Sequence, residues 1–170
     1  MPVGGASVIA AAGNDAVDVR VGVDPAVVTN ARVREFHSYW LARRGERRFP
    51  ARKDIEPTDI PSLLSGIVLL DVHYDPLDFE YRLLGDDIVT RFGNLKGKRV
   101  RKAAAINVSS SAYRNYCQVI ETGMPQFLEG TAIGAYRQGR PALMSRVHCP
   151  LSTDGEIIDK IVSYLAFLER

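Results

Sequence analysis

Two runs of alternating character in the middle of the chain predict its first pair of strands. Ile67-Val-Leu-Leu-Asp-Val-His-Tyr74 and Phe79-Glu-Tyr-Arg-Leu-Leu84 flank the short segment Asp75-Pro-Leu-Asp78. That length, with proline second, suits an antiparallel hairpin. Pairing Tyr74 with Phe79 sets Val72 opposite Tyr81 and Leu70 opposite Leu83 on one face. On the other face His73 meets Glu80, Asp71 meets Arg82 and Leu69 meets Leu84. Side chains alternate between the faces of a strand and opposed pairs interact, so this register gathers apolar groups on one side and opposite charges on the other. The predicted sheet therefore covers something apolar with Leu70, Val72, Tyr81 and Leu83.

Residues 31–44 place Val33, Phe36, Trp40 and Leu41 at helical spacing, with Gly45 as a stop. Residues 1–28 are rich in Ala, Gly and Val and are expected as a flexible tail. Within them, residues 17–23 alternate cleanly, as an edge strand or a segment pairing with a partner chain would. Residues 85–93 predict a two-turn helix capped by Asp86 or Asp87. A longer helix runs from Ser109 or Ser110 to Thr122, with Tyr113, Tyr116, Cys117 and Ile120 on one face. Residues 156–168 repeat apolar groups at helical spacing, but their Ile, Val and Tyr content and the preceding Asp154-Gly155 turn favour a strand.

A second hairpin is predicted from residues 126–136 and 141–149 around Gln138-Gly139. Setting Tyr136 opposite Pro141 pairs Gly134 with Leu143, Ala132 with Ser145 and Gly130 with Val147. The reverse face then pairs Ile133 with Met144, Thr131 with Arg146 and Glu129 with His148. Three very small residues in a row leave room on the sheet for a ligand, or for a core aromatic such as Tyr113, Tyr116 or Phe92.

Composition changes this picture little. A chain of 170 residues, 46% apolar and 25% charged, fits one soluble domain. The net charge of +2 does not by itself call for nucleic acid. Cys117 and Cys149 match neither a zinc spacing nor a redox pair, and are expected as reduced thiols in a cytoplasmic protein. No apolar run approaches the roughly 20 residues of a membrane span. Residues 8–12 are apolar but lack the preceding basic residue of a secretory signal.

Catalytic chemistry is not recognisable. His37, His73 and His148 share no metal-ligand spacing, and no nucleophile–base set can be assembled. The glycines of residues 93–97 lack the preceding strand and the Lys-Ser/Thr of a phosphate loop. Residues 32–53 hold eight basic side chains against Glu35 and Glu46. Such a segment is a solvated face, a docking patch for an acidic partner, or a surface for nucleic acid or anionic membrane.

The predicted order is helix, two strands, short helix, loop, longer helix, three strands. It gives an α+β class with a five-stranded antiparallel sheet, helices on one face and an N-terminal helix. Tyr39-Trp-Leu-Ala-Arg-Arg-Gly45, the run from Arg48-Phe-Pro-Ala-Arg52 to Pro61, Tyr81-Arg-Leu-Leu-Gly85, Phe92-Gly93 and Gly97-Lys-Arg-Val100 resemble a PAS subfamily found largely as small stand-alone bacterial proteins. The resemblance implies a single PAS-like domain over residues 29–170. It also implies a non-enzymatic bacterial sensor or adaptor that binds a small ligand, a signalling partner protein, or both. The cofactor, if one exists, is not identified; neither a haem ligand nor a flavin-binding cysteine pocket is recognisable. The expected ligand wall is Leu70, Val72, Tyr81 and Leu83 from the first hairpin, and Gly130, Ala132, Gly134, Leu143 and Ser145 from the second. By the same resemblance, Phe36 and Trp40 are expected as a homodimer seam. Arg52 is expected to pair with a carboxylate, Asp54 or Asp71. Neither nucleic acid nor a membrane span is expected. The alternative from another class is a cone-shaped α+β isomerase or dehydratase. It needs an acid and a base in the cavity, whereas these registers set Asp71, Glu80, Arg82 and His148 on the opposite face.

Overall fold

One antiparallel sheet organises the protein. The computed structural model describes residues 7–9, 19–101, 110–137 and 140–168. In chain order the elements are β1 (Ser7–Ile9), β2 (Val19–Gly22), α1 (Ala31–Arg44), β3 (Ile67–His73), β4 (Asp78–Leu84), α2 (Asp86–Phe92), α3 (Ser110–Thr122), β5 (Gln126–Arg137), β6 (Arg140–Leu151) and β7 (Lys160–Phe167). The strands lie in the order β1-β2-β5-β6-β7-β3-β4. The five expected strands form the contiguous part from β5 to β4, and the C-terminal segment is extended. β2 extends the sheet beside β5, pairing Arg20 with Glu129 and Gly22 with Phe127, and β1 forms the edge beyond it. Val27 and Val28, at the end of the stretch expected as a tail, are buried in the core. Most of the rest of that stretch lies outside the described residues.

Both faces of the sheet are covered, by different helices. Asn30 starts α1: its Oδ1 accepts the Arg32 and Val33 N–H groups at 3.0 and 3.2 Å. Gly45, at φ 59°, ends it. Val33, Phe36 and Trp40 pack on Phe127, Val147, Cys149, Val162 and Tyr164. Trp40 is 1% exposed, and its Nε1–H donates to the Pro150 carbonyl at 3.0 Å. The stripe expected to form a homodimer seam is thus satisfied by the chain's own sheet, and Phe36 and Trp40 are not available to a second copy. On the other face, Ile88 of α2 and Tyr116 and Val119 of α3 pack on Val68, Leu70, Phe79, Met144, Ile161 and Leu165. Gly85, between β4 and α2, is fixed by space: a Cβ there would lie 2.2 Å from the Ser65 carbonyl oxygen.

The first hairpin is present with a shifted register. Val72 faces Phe79 and Leu70 faces Tyr81, and an irregularity between Leu69 and Leu70 then sets Leu69 opposite Leu83. The shift of two residues preserves the faces of Leu70, Val72 and Tyr81. The irregularity turns Leu83 to the other side, where it is 44% exposed. Leu83 therefore leaves the expected ligand wall. The charged groups keep their expected partners across the shift. Arg82 Nε lies 2.7 Å from Asp71, and His73 Nε2 lies 3.1 Å from Glu80. Lys160 also binds Asp71 at 2.7 Å. These pairs lie on the α1 side, away from the interior under α3.

The second hairpin departs further. Tyr136 faces Pro141 as expected, but the register shifts between Ala132 and Tyr136, so that Gly130 faces Met144 and Glu129 faces Ser145. The offset of three residues is odd, and an odd offset exchanges the faces. Ser145, opposite Ala166, joins the row of Val147 and Cys149 on the α1 side, and Leu143 shares its parity. Neither lines the space beneath α3. The side chains of Ala132 and Gly134 lie outside the described residues. Gly130 remains on the inner row, in a strand backbone at φ 150°.

Candidate functional site

The same exchange of faces brings a polar group of residues inward. Met144, Arg146, His148 and Pro150 alternate along β6 on the inner face, opposite Phe167, Leu165, Ser163 and Ile161 of β7. Val68 and Leu70 of β3, and Phe79 and Tyr81 of β4, continue the row. α3 lies across it and lowers Tyr116 onto its centre, with Phe79 at 5.3 Å and His148 edge-on at 4.8 Å between ring centroids. Tyr113, one turn earlier, stands 5.8 Å from Phe79 and donates its hydroxyl to the Leu77 carbonyl at 2.8 Å. His148 and Ser163 are buried, and His148 Nδ1 lies 2.6 Å from Ser163 Oγ.

Burial sets the protonation of this group. It pushes the Tyr116 phenol up to about 12, and Tyr81 beside it rises further. Both are therefore neutral hydroxyls. Burial, with the nearby Arg146 charge, holds His148 well below its ordinary value, so its ring is neutral at pH 7. Arg146 is also pulled down by burial, against the opposing influence of Tyr116 and Tyr81. A guanidinium nevertheless stays charged. Among the described residues the interior thus contains one positive charge, with neutral hydroxyl and imidazole groups around it.

Of the expected ligand wall, the structure brings together Leu70, Val72, Tyr81 and Gly130; Leu83, Leu143 and Ser145 are elsewhere. Arg146, His148, Tyr116 and Ser163 were not foreseen as site residues. Their signal lay in β7, whose run Ile161-Val-Ser-Tyr-Leu-Ala-Phe167 reads as a strand covered on both faces. A strand beside it must share that burial, so the polar residues of β6 could not all face solvent.

A separate hollow of about 510 Å³ lies on the α1 side, lined by Ile60, Leu64, Leu69, Leu83, Arg52 and Asp86 among others. Its wall is mostly apolar, and it is remote from the polar row. Arg52 does not pair as expected. It donates to the Ile55 carbonyl at 2.9 Å. Asp54 is held by Arg47 at 3.0 Å, and Asp71 by Arg82 and Lys160.

Among the described residues no group of His, Cys, Asp and Glu side chains is placed to hold a metal ion. None of their helices is long and apolar enough to cross a membrane. Asp71 and His148 stand on opposite faces, so they do not form the acid–base pair that the isomerase-like alternative requires.

The family model of the PAS domain matches residues 28–165. A solved structure of an RNA-binding Light-Oxygen-Voltage receptor aligns with a TM-score of 0.45 and 15% identity, over 69% of this chain and 35% of the other. The chain thus spans about a third of that structure's length. No curated protein matches the chain.

Proposed function

Because the chain belongs to the PAS domain family, we propose that it is a sensory module holding a small molecule between the sheet and α3. A change at that site would pass to a signalling partner protein by contact, in the bacterial cytoplasm. The observation that carries this reading is the polar row Arg146, His148 and Ser163 set beneath Tyr116 in an otherwise apolar layer. Buried polar groups cost stability unless satisfied, and a fold needs none of them to close a core. Their presence under a helix is characteristic of a binding site, where a few polar groups orient a ligand among apolar walls. The reading is non-enzymatic and assigns no catalytic residue.

Native mass spectrometry of freshly purified protein tests it. The expected result is a mass increment carried by the folded protein and lost on denaturation. The liberated molecule, added back, should shift the backbone amide signals of β6, β7 and α3 in a two-dimensional NMR spectrum. A ligand whose effects are confined to the α1 side would overturn the interior site.

A further inference from the structure

Arg146 stands among apolar core residues without an ion-pair partner among the described residues. Alternation along β6 puts it between Met144 and His148, opposite Leu128 of β5 and Leu165 of β7. It is set deep in the layer under α3, yet part of its surface stays accessible. That accessible part is open to contact from another molecule. A guanidinium carries five N–H donors in a planar fork. Among the described residues none of these reaches an acceptor, and no carboxylate stands within ion-pair distance. The polar neighbours are the Tyr81 and Tyr116 phenols and the His148 ring.

These groups lack one kind of counterpart. The Tyr81 hydroxyl bonds to Tyr116, so the fork and the Tyr116 hydroxyl are the remaining donors, and among the described residues none of the surrounding groups is an anion. Burying a charge is strongly unfavourable unless it is both paired and hydrogen-bonded. The complement is an acceptor-only anion of matching size. A carboxylate has about four lone-pair positions, two for the fork and another for the Tyr116 hydroxyl. A phosphate dianion would leave one negative charge unmatched by the described residues, of which a single cation, Arg146, faces the space. Leu70, Phe79, Ile161 and Leu165 supply the remaining surroundings, all apolar.

We infer that the interior site takes a small organic carboxylate with an apolar body, gripped by Arg146 with Tyr116 as a further donor. This rests on the reading of the interior as the ligand site and adds the ligand's charge and class.

Titrations of labelled protein with phenylacetate, octanoate and their neutral amides, followed by two-dimensional NMR, test it. Either acid should shift the amide signals of residues around Arg146, Ser163 and Tyr116 and bind at least about tenfold more tightly than its amide. Arg146→Met, which keeps an unbranched apolar stem and removes the guanidinium, should erase that preference. A Tyr81→Phe, Tyr116→Phe double variant provides a second check should the first lose its fold; it should weaken the acids several-fold and leave the amides unchanged. If acid and amide shift the same interior signals with equal affinity, the carboxylate assignment is overturned and the interior site stands. Retention of the acid preference by Arg146→Met overturns the role of Arg146. Probes that leave the wild-type spectrum unmoved at millimolar concentration overturn the carboxylate assignment too, whatever molecule the native protein retains.

Discussion

Against α1 the sheet presents Val147, Cys149, Val162, Tyr164 and Ala166; against α3 the same two strands present Met144, Arg146, His148, Ser163 and Leu165. The two rows are interleaved residue by residue, so backbone geometry and local composition are shared. They differ in what the covering helix brings. α1 brings Val33, Phe36 and Trp40 and completes a layer that is apolar apart from Ser145. α3 brings Tyr116, whose hydroxyl-bearing ring sits over an imidazole and beside a guanidinium. Both faces bury an apolar cluster, and the one under α3 also takes in Arg146, His148 and Ser163. A sheet buried on both sides can differ in this way between its faces because its side chains alternate.

The largest expected effect lies on the α1 face. Trp40→Ala removes a fully buried ring and the hydrogen bond to Pro150, and should lower the unfolding free energy by about 3–5 kcal/mol. Urea denaturation measures this; a loss near zero would mean that α1 does not anchor the fold. Next comes Gly85→Ala, where the added Cβ meets the backbone carbonyls of Leu64 and Ser65. With no room for relaxation it should cost about 1–3 kcal/mol, read from the same denaturation curve. Wild-type stability after that change would show that the β4–α2 junction yields.

The inner face should reveal itself through pH. His148 titrates well below 6.5 in the folded protein because burial disfavours its charged form. The unfolded chain therefore binds a proton that the native one refuses. Stability is fully present above the unfolded value and falls by about 1.4 kcal/mol for each pH unit below it. His37, lowered for the same first reason, adds to the fall. Denaturation midpoints in a pH series should show this slope, and His148→Asn should flatten it. A wild-type curve flat from neutrality to pH 5 would contradict a buried neutral ring. The smallest effect is expected at Arg146. Arg146→Met should keep the wild-type melting temperature or raise it, since the charge it removes has no ion-pair partner among the described residues. A loss comparable to that of Trp40→Ala would make Arg146 a structural residue and erase the contrast between the faces.

The elements themselves were legible from pattern. α1 runs over the predicted residues because Asn30 and Gly45 mark its ends chemically, and α3 ends at Thr122 before Gly123 as predicted. Leu70 and Tyr81 were placed on the inner face because a two-residue shift conserves alternation. What escaped was register at irregular points. The shift between Ala132 and Tyr136 moves β5 by an odd number of residues against β6, which exchanged Ser145 for Arg146 and His148 in the interior. The irregularity beside Leu69 turned out Leu83. Bulges depend on how the whole sheet twists over its helices, and local composition does not encode them. The apolar stripe of α1 showed that it must be covered, but not by what. A homodimer and the chain's own sheet satisfy Phe36 and Trp40 equally well.

A crystal structure of the protein soaked with phenylacetate tests the contrast between the two faces most directly. Density is expected beneath α3, with the carboxylate on Arg146 and the ring toward Leu70 and Ile161. Phenylacetate bound in the outer hollow beside Leu69 and Leu83, with the interior occupied by the chain's own side chains, would contradict that placement.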